Sequence, residues 1–135
     1  MSRMFITASF EHGRNKDEIE GLCSVVRESG FEDFCFIRDI ENYGKVFDNP
    51  RDLMKRTAEE IQRSDYLLLD MTDKPTGRAV EAGIAYAMNK KVILITKKGT
   101  DIKDSVRGIA EAIIEYESIS DIVSELSKIP KDAGS

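Results

Sequence analysis

The segment 66–96 constrains the fold of this chain more than any other feature. An apolar run at 66–71 is followed by a polar, turn-like stretch and then by ten residues, 79–88, in which Glu81 is the only charged side chain. A second apolar run follows at 92–96. A strand, a loop, a helix and a strand in this order form a βαβ unit, whose two strands are parallel. Ligands of such sheets bind where the strands end and the helices begin, so the unit also predicts where a site lies.

The rest of the chain repeats this alternation. We predict strands at 4–9, 34–37, 66–71, 92–96 and 112–116, and helices at 15–30, 51–63, 79–88, 105–111 and 118–130. Four of the strands are nearly all apolar, which is typical of parallel strands covered on both faces. The predicted fold class is therefore α/β, a single domain at 1–130 with a five-stranded parallel sheet and helices on both faces, flavodoxin-like or Rossmann-like. We expect the tail, 131–135, to fray.

Length and composition exclude several classes of protein. The 135 residues fit one domain, and the hydrophobic fraction of 41% and charged fraction of 33% are those of an ordinary globular protein. No apolar run is long enough to span a membrane. The net charge of −5 disfavours a general nucleic-acid surface, which needs a basic stripe. We therefore expect a soluble, cytoplasmic protein that binds neither membranes nor nucleic-acid polymers.

The few cysteines and histidines argue against metal and triad chemistry. Cys23 and Cys35 lie at apolar positions without metal-ligand spacing, so we interpret them as reduced core residues. His12 is the only histidine, which disfavours both a zinc site and a Ser-His-Asp arrangement. We expect neither a metal nor a cofactor.

Glu81 is the candidate catalytic residue. Its helical neighbours Ile84, Ala85 and Met88 are apolar, so its face of the helix offers neither a basic partner nor much water. A carboxylate in such surroundings costs free energy unless it has a chemical task. A structural interpretation is also open, in which an acid in the first helical turn balances the helix dipole and reaches solvent.

A spaced pattern of small residues surrounds this glutamate. It reads Gly-x-Ala-x-Glu-x-Gly-x-Ala, at Gly77, Ala79, Glu81, Gly83 and Ala85. In this pattern the sequence resembles the nucleoside 2-deoxyribosyltransferase family and its relatives that hydrolyse deoxynucleoside monophosphates. The resemblance is dense over 64–92, and the segments 5–10 and 105–108 are also similar to family segments.

The resemblance implies a reaction, a partner and an assembly. Glu81 would attack the anomeric carbon of a (deoxy)nucleoside or nucleoside 5′-monophosphate, the base would leave, and a glycosyl-enzyme ester would form. Water or a second base would then resolve the ester. The implied partner is a small-molecule nucleoside or nucleotide, and the implied assembly is a homodimer with sites completed across subunits. The candidate substrate-binding residues are Ser9, Phe10, Arg14, Thr76, Gly77, Arg78, Ser105 and Arg107.

Two positions differ from the family pattern. Thr57 stands where the family has an aspartate that helps to orient substrate and proton transfer, and a threonine cannot replace a general acid or base. We interpret the nearby Glu59 and Glu60 as a solvated helix face. Arg78 stands where the family prefers glycine or threonine. We predict that Arg78 and Thr76 hold a 5′-phosphate at the start of the helix, although Arg78 could instead pair with Glu81 or point to water.

Three other functions remain open. The first is a non-catalytic nucleotide-binding or sensor domain, which Thr57 and Arg78 would both permit. The second is a TIR-like domain that cleaves nicotinamide from NAD or serves as an adaptor, although the spacing around Glu81 favours the deoxyribosyltransferase branch. The third is a phospho-receiver domain, which is disfavoured because Asp70 is predicted to lie within its strand and only Glu11 follows the first strand as an acid.

Overall fold

The computed structural model describes residues 1–8, 15–72, 76–102 and 104–131. Five strands and six α-helices alternate along these ranges. The strands are β1 (Arg3–Thr7), β2 (Glu32–Cys35), β3 (Tyr66–Asp70), β4 (Lys91–Lys97) and β5 (Ala110–Tyr116). The helices are α1 (Lys16–Glu28), α2 (Phe36–Asp39), α3 (Pro50–Gln62), α4 (Thr76–Ala87), α5 (Asp104–Ile109) and α6 (Ile122–Ser127).

The strands form one parallel sheet in the order β2-β1-β3-β4-β5. Within this sheet Ile6 of β1 pairs with Cys35 on one side and with Leu68 on the other. The strand order reverses at β1, because the chain moves outward to β2 and then returns to the opposite side for β3. The carboxyl end of β1 is therefore the topological switch point, where sheets of this kind bind ligands.

Two apolar cores cover the two faces of the sheet, as the sequence predicts. On one face, α1 and α6 bury Ile19, Val26 and Leu126 against Ile6 and Ile93, among others. The opposite core packs side chains of α3 and α4 against alternate residues of the same strands: Ile61, Ala82, Ala85, Phe5, Leu67 and Leu94. The predicted α/β fold, with a five-stranded parallel sheet covered on both faces, is confirmed.

Local signals in the sequence account for several helix ends. Pro50 occupies the first position of α3, where its missing N–H is not needed, and the Asn49 side chain accepts a hydrogen bond from the Arg51 backbone N–H at 2.8 Å. Ser118 and Asp121 form a reciprocal capping box ahead of α6. Gly30, just after α1, has a φ of +96°, which only glycine adopts without strain.

The second strand is shorter than its apolar run predicts. The run at 34–37 is strand only as far as Cys35, and Phe36 begins α2. The Asp39 carboxylate accepts a hydrogen bond from the Cys35 backbone N–H at 2.9 Å, while Arg38 pairs with Asp33 at 2.8 Å. These short-range polar contacts turn the chain into a helix at a point where apolar periodicity alone predicts continued strand.

The prediction that Glu59 and Glu60 form a solvated face of α3 is wrong for Glu60. Glu59 is exposed, but Glu60 is only 3% exposed and accepts hydrogen bonds from three arginines. They are Arg3 at 2.7 Å and Arg56 and Arg63 at 2.8 Å each. We call these four side chains the Glu60 cluster. Because Arg3 begins β1 and Glu60 lies near the end of α3, the cluster lies at the amino end of the sheet.

Two further expectations concern the cysteines and membrane spans. Cys23 and Cys35 are free and fully buried, which confirms their assignment to the core. Among the residues that the structure describes, no helix is long and apolar enough to cross a membrane.

Candidate active site

A cleft of about 280 Å³ opens at the carboxyl end of β1. The floor is formed by Ile6 and Thr7 of β1, and the walls come from the segment after β2, from α3 and from α4. Among the described residues, the polar side chains that line the cleft are Thr7, Glu41, Thr57 and Glu81. This is the switch point of the sheet, where folds of this kind bind ligands, and Glu81 is the described residue of the β3–α4–β4 unit that lines the cleft.

Glu81 lines this cleft from the second turn of α4. The helix begins at Thr76, five residues earlier, and its first turn contains no acidic residue. The expectation that Glu81 belongs to the first helical turn is therefore wrong, and the dipole of α4 does not explain a carboxylate at this depth. Ala82 and Ala85 are fully buried against the sheet, which brings α4 close enough for Glu81 to reach the cleft.

The surroundings of Glu81 favour its neutral form. No hydrogen bond or ion pair joins its carboxyl to another of the described residues. Burial raises the pKa of Glu81 to about 8; nearby Cys35 and Glu41 add to the rise, and the positive charge of Arg78 opposes it. A half-buried carboxyl with a raised pKa, lining a cleft, is characteristic of a functional group.

Arg78 does not form an ion pair with Glu81 among the described side chains. Its Nη1 donates instead to the backbone carbonyl of Asp70, at the end of β3, at 2.8 Å. The alternative in which Arg78 neutralises Glu81 by direct pairing thus has no contact to support it among the described side chains. Arg78 ties the start of α4 to the strand that precedes it, and its charge still acts on Glu81 from a distance.

The carboxylate of Asp70 is held by its own set of hydrogen bonds. Thr72 Oγ1 donates to Asp70 Oδ1 at 2.6 Å, and the hydroxyl of Tyr116 donates to Oδ2. Thr72 Oγ1 also accepts from the Lys97 backbone N–H at 3.0 Å. The network joins the carboxyl ends of β3, β4 and β5. Asp70 is the last residue of β3 and not an interior residue, which corrects one ground for disfavouring a receiver domain, but both of its oxygens are engaged.

The predicted substrate-binding residues fall into three groups, which lie at the start of α4, on α5 and outside the described residues. Thr76 is the first residue of α4, Gly77 is exposed beside it, and Arg78 follows. Ser105 and Arg107 are exposed on α5 and do not line the cleft. The remaining candidates lie outside the described residues: Ser9, Phe10 and Arg14. His12 and Glu11 also lie there.

Three polar side chains of the cleft were not among the predicted substrate-binding or catalytic residues. Thr57 of α3 lines the cleft, but its Oγ1 donates to the Leu53 carbonyl at 2.8 Å. Thr7 is 2% exposed, and its Oγ1 has no hydrogen-bond partner among the described residues. Glu41 lies in the loop after α2, and burial raises the pKa of its carboxyl. Position at a strand end could have indicated Thr7. The long irregular stretch 38–50 predicts a segment beside the site, but nothing in it singles out Glu41.

Across the described ranges, no three His, Cys, Asp or Glu side chains are grouped so that they could hold a metal ion. Among the described residues that line the cleft, the polar side chains carry carboxyl and hydroxyl groups.

Solved structures share the arrangement of this chain. The CMP N-glycosidase BcmB of Clostridium botulinum superposes with a TM-score of 0.68 at 24% identity, over 93% of this chain and 97% of the other. The 2-deoxyribosyltransferase of Bacillus psychrosaccharolyticus gives a TM-score of 0.70 at 19% identity, over 93% and 96% of the two chains. This chain has the fold of these two enzymes.

A third structure is similar at lower identity. A conserved protein from Enterococcus faecalis V583 superposes with a TM-score of 0.73 at 13% identity, over 95% of this chain and 98% of the other. No protein-family model and no curated protein sequence matches the chain. The resemblance inferred from the pattern around Glu81 is thus confirmed at the level of the fold.

Proposed function

We propose that the protein cleaves or transfers the N-glycosidic bond of a (deoxy)nucleoside or nucleoside 5′-monophosphate, with Glu81 as the nucleophile. One observation carries this proposal. The Glu81 carboxyl lines a cleft at the switch point of the sheet, and no described residue donates a hydrogen bond to it or pairs with its charge. Structural carboxylates that are removed from solvent are normally paired, as the buried Glu60 is, so an unpaired one is available for chemistry.

The reaction follows from the position of the carboxylate. In its ionised form, Glu81 attacks the anomeric carbon as the bond to the base breaks, and a glycosyl-enzyme ester forms through an oxocarbenium-like transition state. The negative charge of Glu81 is worth most in this transition state, because the sugar then carries a partial positive charge in a partly dry cleft. Water or a second base attacks the same carbon and releases Glu81.

The start of α4 supports a preference for 5′-monophosphates. Free backbone N–H groups and the helix dipole favour an anion at the amino end of a helix. Gly77 has no neighbouring atom within 4 Å of where a Cβ would lie, so its backbone is open to approach, and Arg78 adds a positive charge one residue later. We propose Thr76, Gly77 and Arg78 as phosphate contacts, and Ser9, Phe10 and Arg14 as further substrate contacts.

A homodimer would complete this site, and one face of α4 supports it. Val80 and Tyr86 are 53% and 55% exposed, and Gly83 and Ala87 are exposed beside them. This outward face, which we call the α4 face, carries no charged side chain. Large exposed apolar side chains next to small ones are typical of helix packing between subunits. Ser105 and Arg107, which lie away from their own cleft, are then available to a neighbouring one. The proposed place of action is the cytoplasm.

The test of the function is release of free base. The wild-type protein is incubated with nucleosides, their 5′-monophosphates and NAD, and free base is measured by chromatography. We expect release from a (deoxy)nucleotide, faster from the monophosphate than from the nucleoside. Glu81→Gln keeps the shape of the side chain but removes its charge, so we expect a loss of several orders of magnitude with binding retained.

The matched control is Glu59→Gln, on the exposed face of α3, which should leave turnover unchanged. Acid quenching during turnover should leave the sugar on the peptide that contains Glu81, as a mass increase. If the wild-type protein binds nucleotides but releases no base, it is a sensor domain and the proposed function is wrong. Release of nicotinamide from NAD alone would identify the TIR-like activity instead.

A further inference from the structure

We propose that Glu41 is the general acid of this cleft, and that it gives a proton to the departing base while Glu81 attacks the sugar. The inference rests on the proposed N-glycosidic activity and adds to it the residue that protonates the leaving group. In the family that the sequence resembles, an aspartate at the position of Thr57 is expected to help with proton transfer. Thr57 has no acidic proton at neutral pH, so another group must act if the base is to leave as a neutral molecule.

The described acids near the carboxyl end of the sheet leave one candidate. Asp70 has both oxygens engaged, by Thr72 and by Tyr116, and does not line the cleft. Glu60 lies at the opposite end of the sheet within its cluster of arginines. Glu41 is the described acid, besides Glu81, whose side chain lines the cleft.

The backbone around Glu41 holds it over the cleft. Asn42 and Tyr43, which follow it, have φ values of +47° and +60°, in the left-handed region that costs non-glycine residues free energy. The strain is held by hydrogen bonds: Tyr43 N–H donates to the Ile37 carbonyl and Gly44 N–H to the Glu41 carbonyl, both at 2.9 Å. Strain retained in this way is concentrated at functional sites, where it fixes a side chain in advance.

A tyrosine anchors the same loop to the body of the protein. The Tyr43 hydroxyl donates to the Glu20 carboxylate on α1, and the Lys16 ammonium lies 4.8 Å from the centre of the Tyr43 ring. The Glu41 backbone N–H donates to the Phe36 carbonyl at 3.1 Å. The loop is therefore tied to α1 and α2, and its position does not depend on contacts of the Glu41 side chain.

A separate observation indicates that the cleft binds a polar ligand. The Thr7 hydroxyl is 2% exposed, lines the cleft and lacks a hydrogen-bond partner among the described residues. Leaving a buried hydroxyl unpaired costs about 1–3 kcal/mol. A hydroxyl or ring nitrogen of a bound nucleoside would satisfy it in the cleft that Glu41 and Glu81 also line.

Burial favours the protonated form of both carboxyl groups. It raises the pKa of Glu41 and of Glu81, and the charge of Glu41 adds to the rise at Glu81; the charged or titratable neighbours of Glu81 are Cys35, Arg78 and Glu41. Glu41 can therefore hold the proton that the base needs, and Glu81 must ionise before it attacks. A bound base accepts a hydrogen bond from Glu41, and the developing positive charge of the sugar favours the ionised form of Glu81.

The chemical step balances without a further reagent. The electron pair of the sugar–base bond moves onto the base nitrogen, the proton of Glu41 passes to the base, and a Glu81 oxygen bonds to the anomeric carbon. In the second half, Glu41 as a carboxylate takes a proton from the attacking water, whose oxygen replaces Glu81 on the same carbon. Both groups then return to their starting states.

The experiment compares Glu41→Gln and Glu81→Gln on leaving groups that do and do not need a proton. If the wild type releases guanine, the probes are the guanine nucleotide and its N7-methylated form, whose base leaves without protonation. If it releases uracil, they are the uracil nucleotide and its 5-fluoro form, whose base leaves more readily. We expect Glu41→Gln to lower kcat/KM about 100-fold or more on the ordinary substrate and less than about tenfold on the activated one. Glu81→Gln should abolish both reactions.

The outcomes separate this inference from the proposed function. Equal losses on both substrates would mean that Glu41 binds substrate or supports the loop, and would overturn its role as the acid. If Glu41→Gln has the kcat/KM of the wild type, the role of Glu41 as the acid is overturned as well. If Glu81→Gln nevertheless loses base release, the proposed N-glycosidic function still stands. No release by the wild type would overturn both. Glu59→Gln is the control, and thermal unfolding of each variant confirms that it is folded.

Discussion

The surroundings of two carboxyl groups, those of Glu60 and Glu81, shift their pKa values in opposite directions. For Glu60, burial raises the pKa, but the hydrogen bonds from Arg3 and Arg56 outweigh it, so the pKa of Glu60 lies below its usual range. For Glu81, burial dominates and raises the pKa to about 8. The folded state therefore favours the charged form of Glu60 and the neutral form of Glu81. A charged, paired carboxylate such as Glu60 stabilises the fold, whereas an unpaired carboxyl with a raised pKa such as Glu81 is typical of a reactive group.

The shift of Glu81 predicts how its substitution changes stability with pH. The unfolded chain releases this proton near pH 4.5 and the folded protein near pH 8, so the free energy of unfolding falls as pH rises between these values. Glu81→Gln removes that loss. Since one pKa unit is worth about 1.4 kcal/mol, we expect the variant to gain about 2–4 kcal/mol over the wild type at pH 9 and almost nothing at pH 4.

Urea unfolding at the two pH values measures this difference. Glu59→Gln should show no such dependence, because Glu59 is exposed in the folded protein. A loss of stability in Glu81→Gln at pH 9 would show that its charge stabilises the fold and would assign Glu81 a structural role.

The sequence could identify Glu81 but not Glu41, for a physical reason. Glu81 stands alone among apolar residues on one helix, so its environment can be inferred from its own neighbours in the chain. Glu41 lies in the cleft because the loop that holds it has two residues with left-handed backbone conformation, Asn42 and Tyr43, and neither of them is a glycine. Gly44 is the residue that sequence rules would choose for such a turn, so the conformation of this loop depends on its contacts with α1 and α2.

At the level of elements, α3 connects the two ends of the sheet. Its Thr57 lines the cleft, and one turn later its Glu60 accepts the hydrogen bonds of the Glu60 cluster. The wrong expectation for Glu60 arose because arginine contacts from β1 lie far away in the sequence. At β2 the reason was different, because short-range polar contacts of Asp39 and Arg38 ended a strand that the apolar pattern extends. Periodicity predicts which elements form, and polar contacts between them decide where they end.

Removing the Glu60 carboxylate should destabilise the fold. Glu60→Ala leaves Arg3, whose side chain is 18% exposed, without its charge partner, whereas Arg56 and Arg63 can turn to water. Losing one partner of a buried pair costs about 3–5 kcal/mol, and the two exposed arginines reduce this to about 2–4 kcal/mol here. Chemical denaturation at pH 7 measures the loss, and Glu59→Ala, one residue earlier on the exposed face, should change stability by less than about 0.5 kcal/mol.

The pH dependence of that loss gives a second check. Because the folded pKa of Glu60 is depressed, its stabilisation is present above about pH 4.5 and disappears as pH falls through the folded value. The difference between Glu60→Ala and the wild type should therefore shrink in acid. A difference that stayed constant down to pH 2 would mean that the side chain acts through packing and not through its charge.

For the molecule as a whole, the uncharged α4 face predicts a dimer. Static light scattering at micromolar concentration should return a mass near twice the 15.2 kDa of the chain. Tyr86→Lys places a charge on this face and should shift the mass toward that of one chain. Ser124→Lys, on the exposed side of α6, is the matched control and should leave the mass unchanged. A monomeric wild type would exclude both the dimer and a site shared between subunits.

The separation of the Glu60 cluster from the cleft has a consequence for adaptation to temperature. Ion pairs cost less desolvation energy as temperature rises, so arginine–carboxylate networks are a common means of tuning thermostability. In this chain that network lies at the amino end of the sheet, while the reactive carboxyl groups lie at the carboxyl end. Relatives from cold and hot habitats can therefore vary Arg56 and Arg63 without changing turnover, and a designer who wants a more heat-tolerant catalyst can begin at the same two positions.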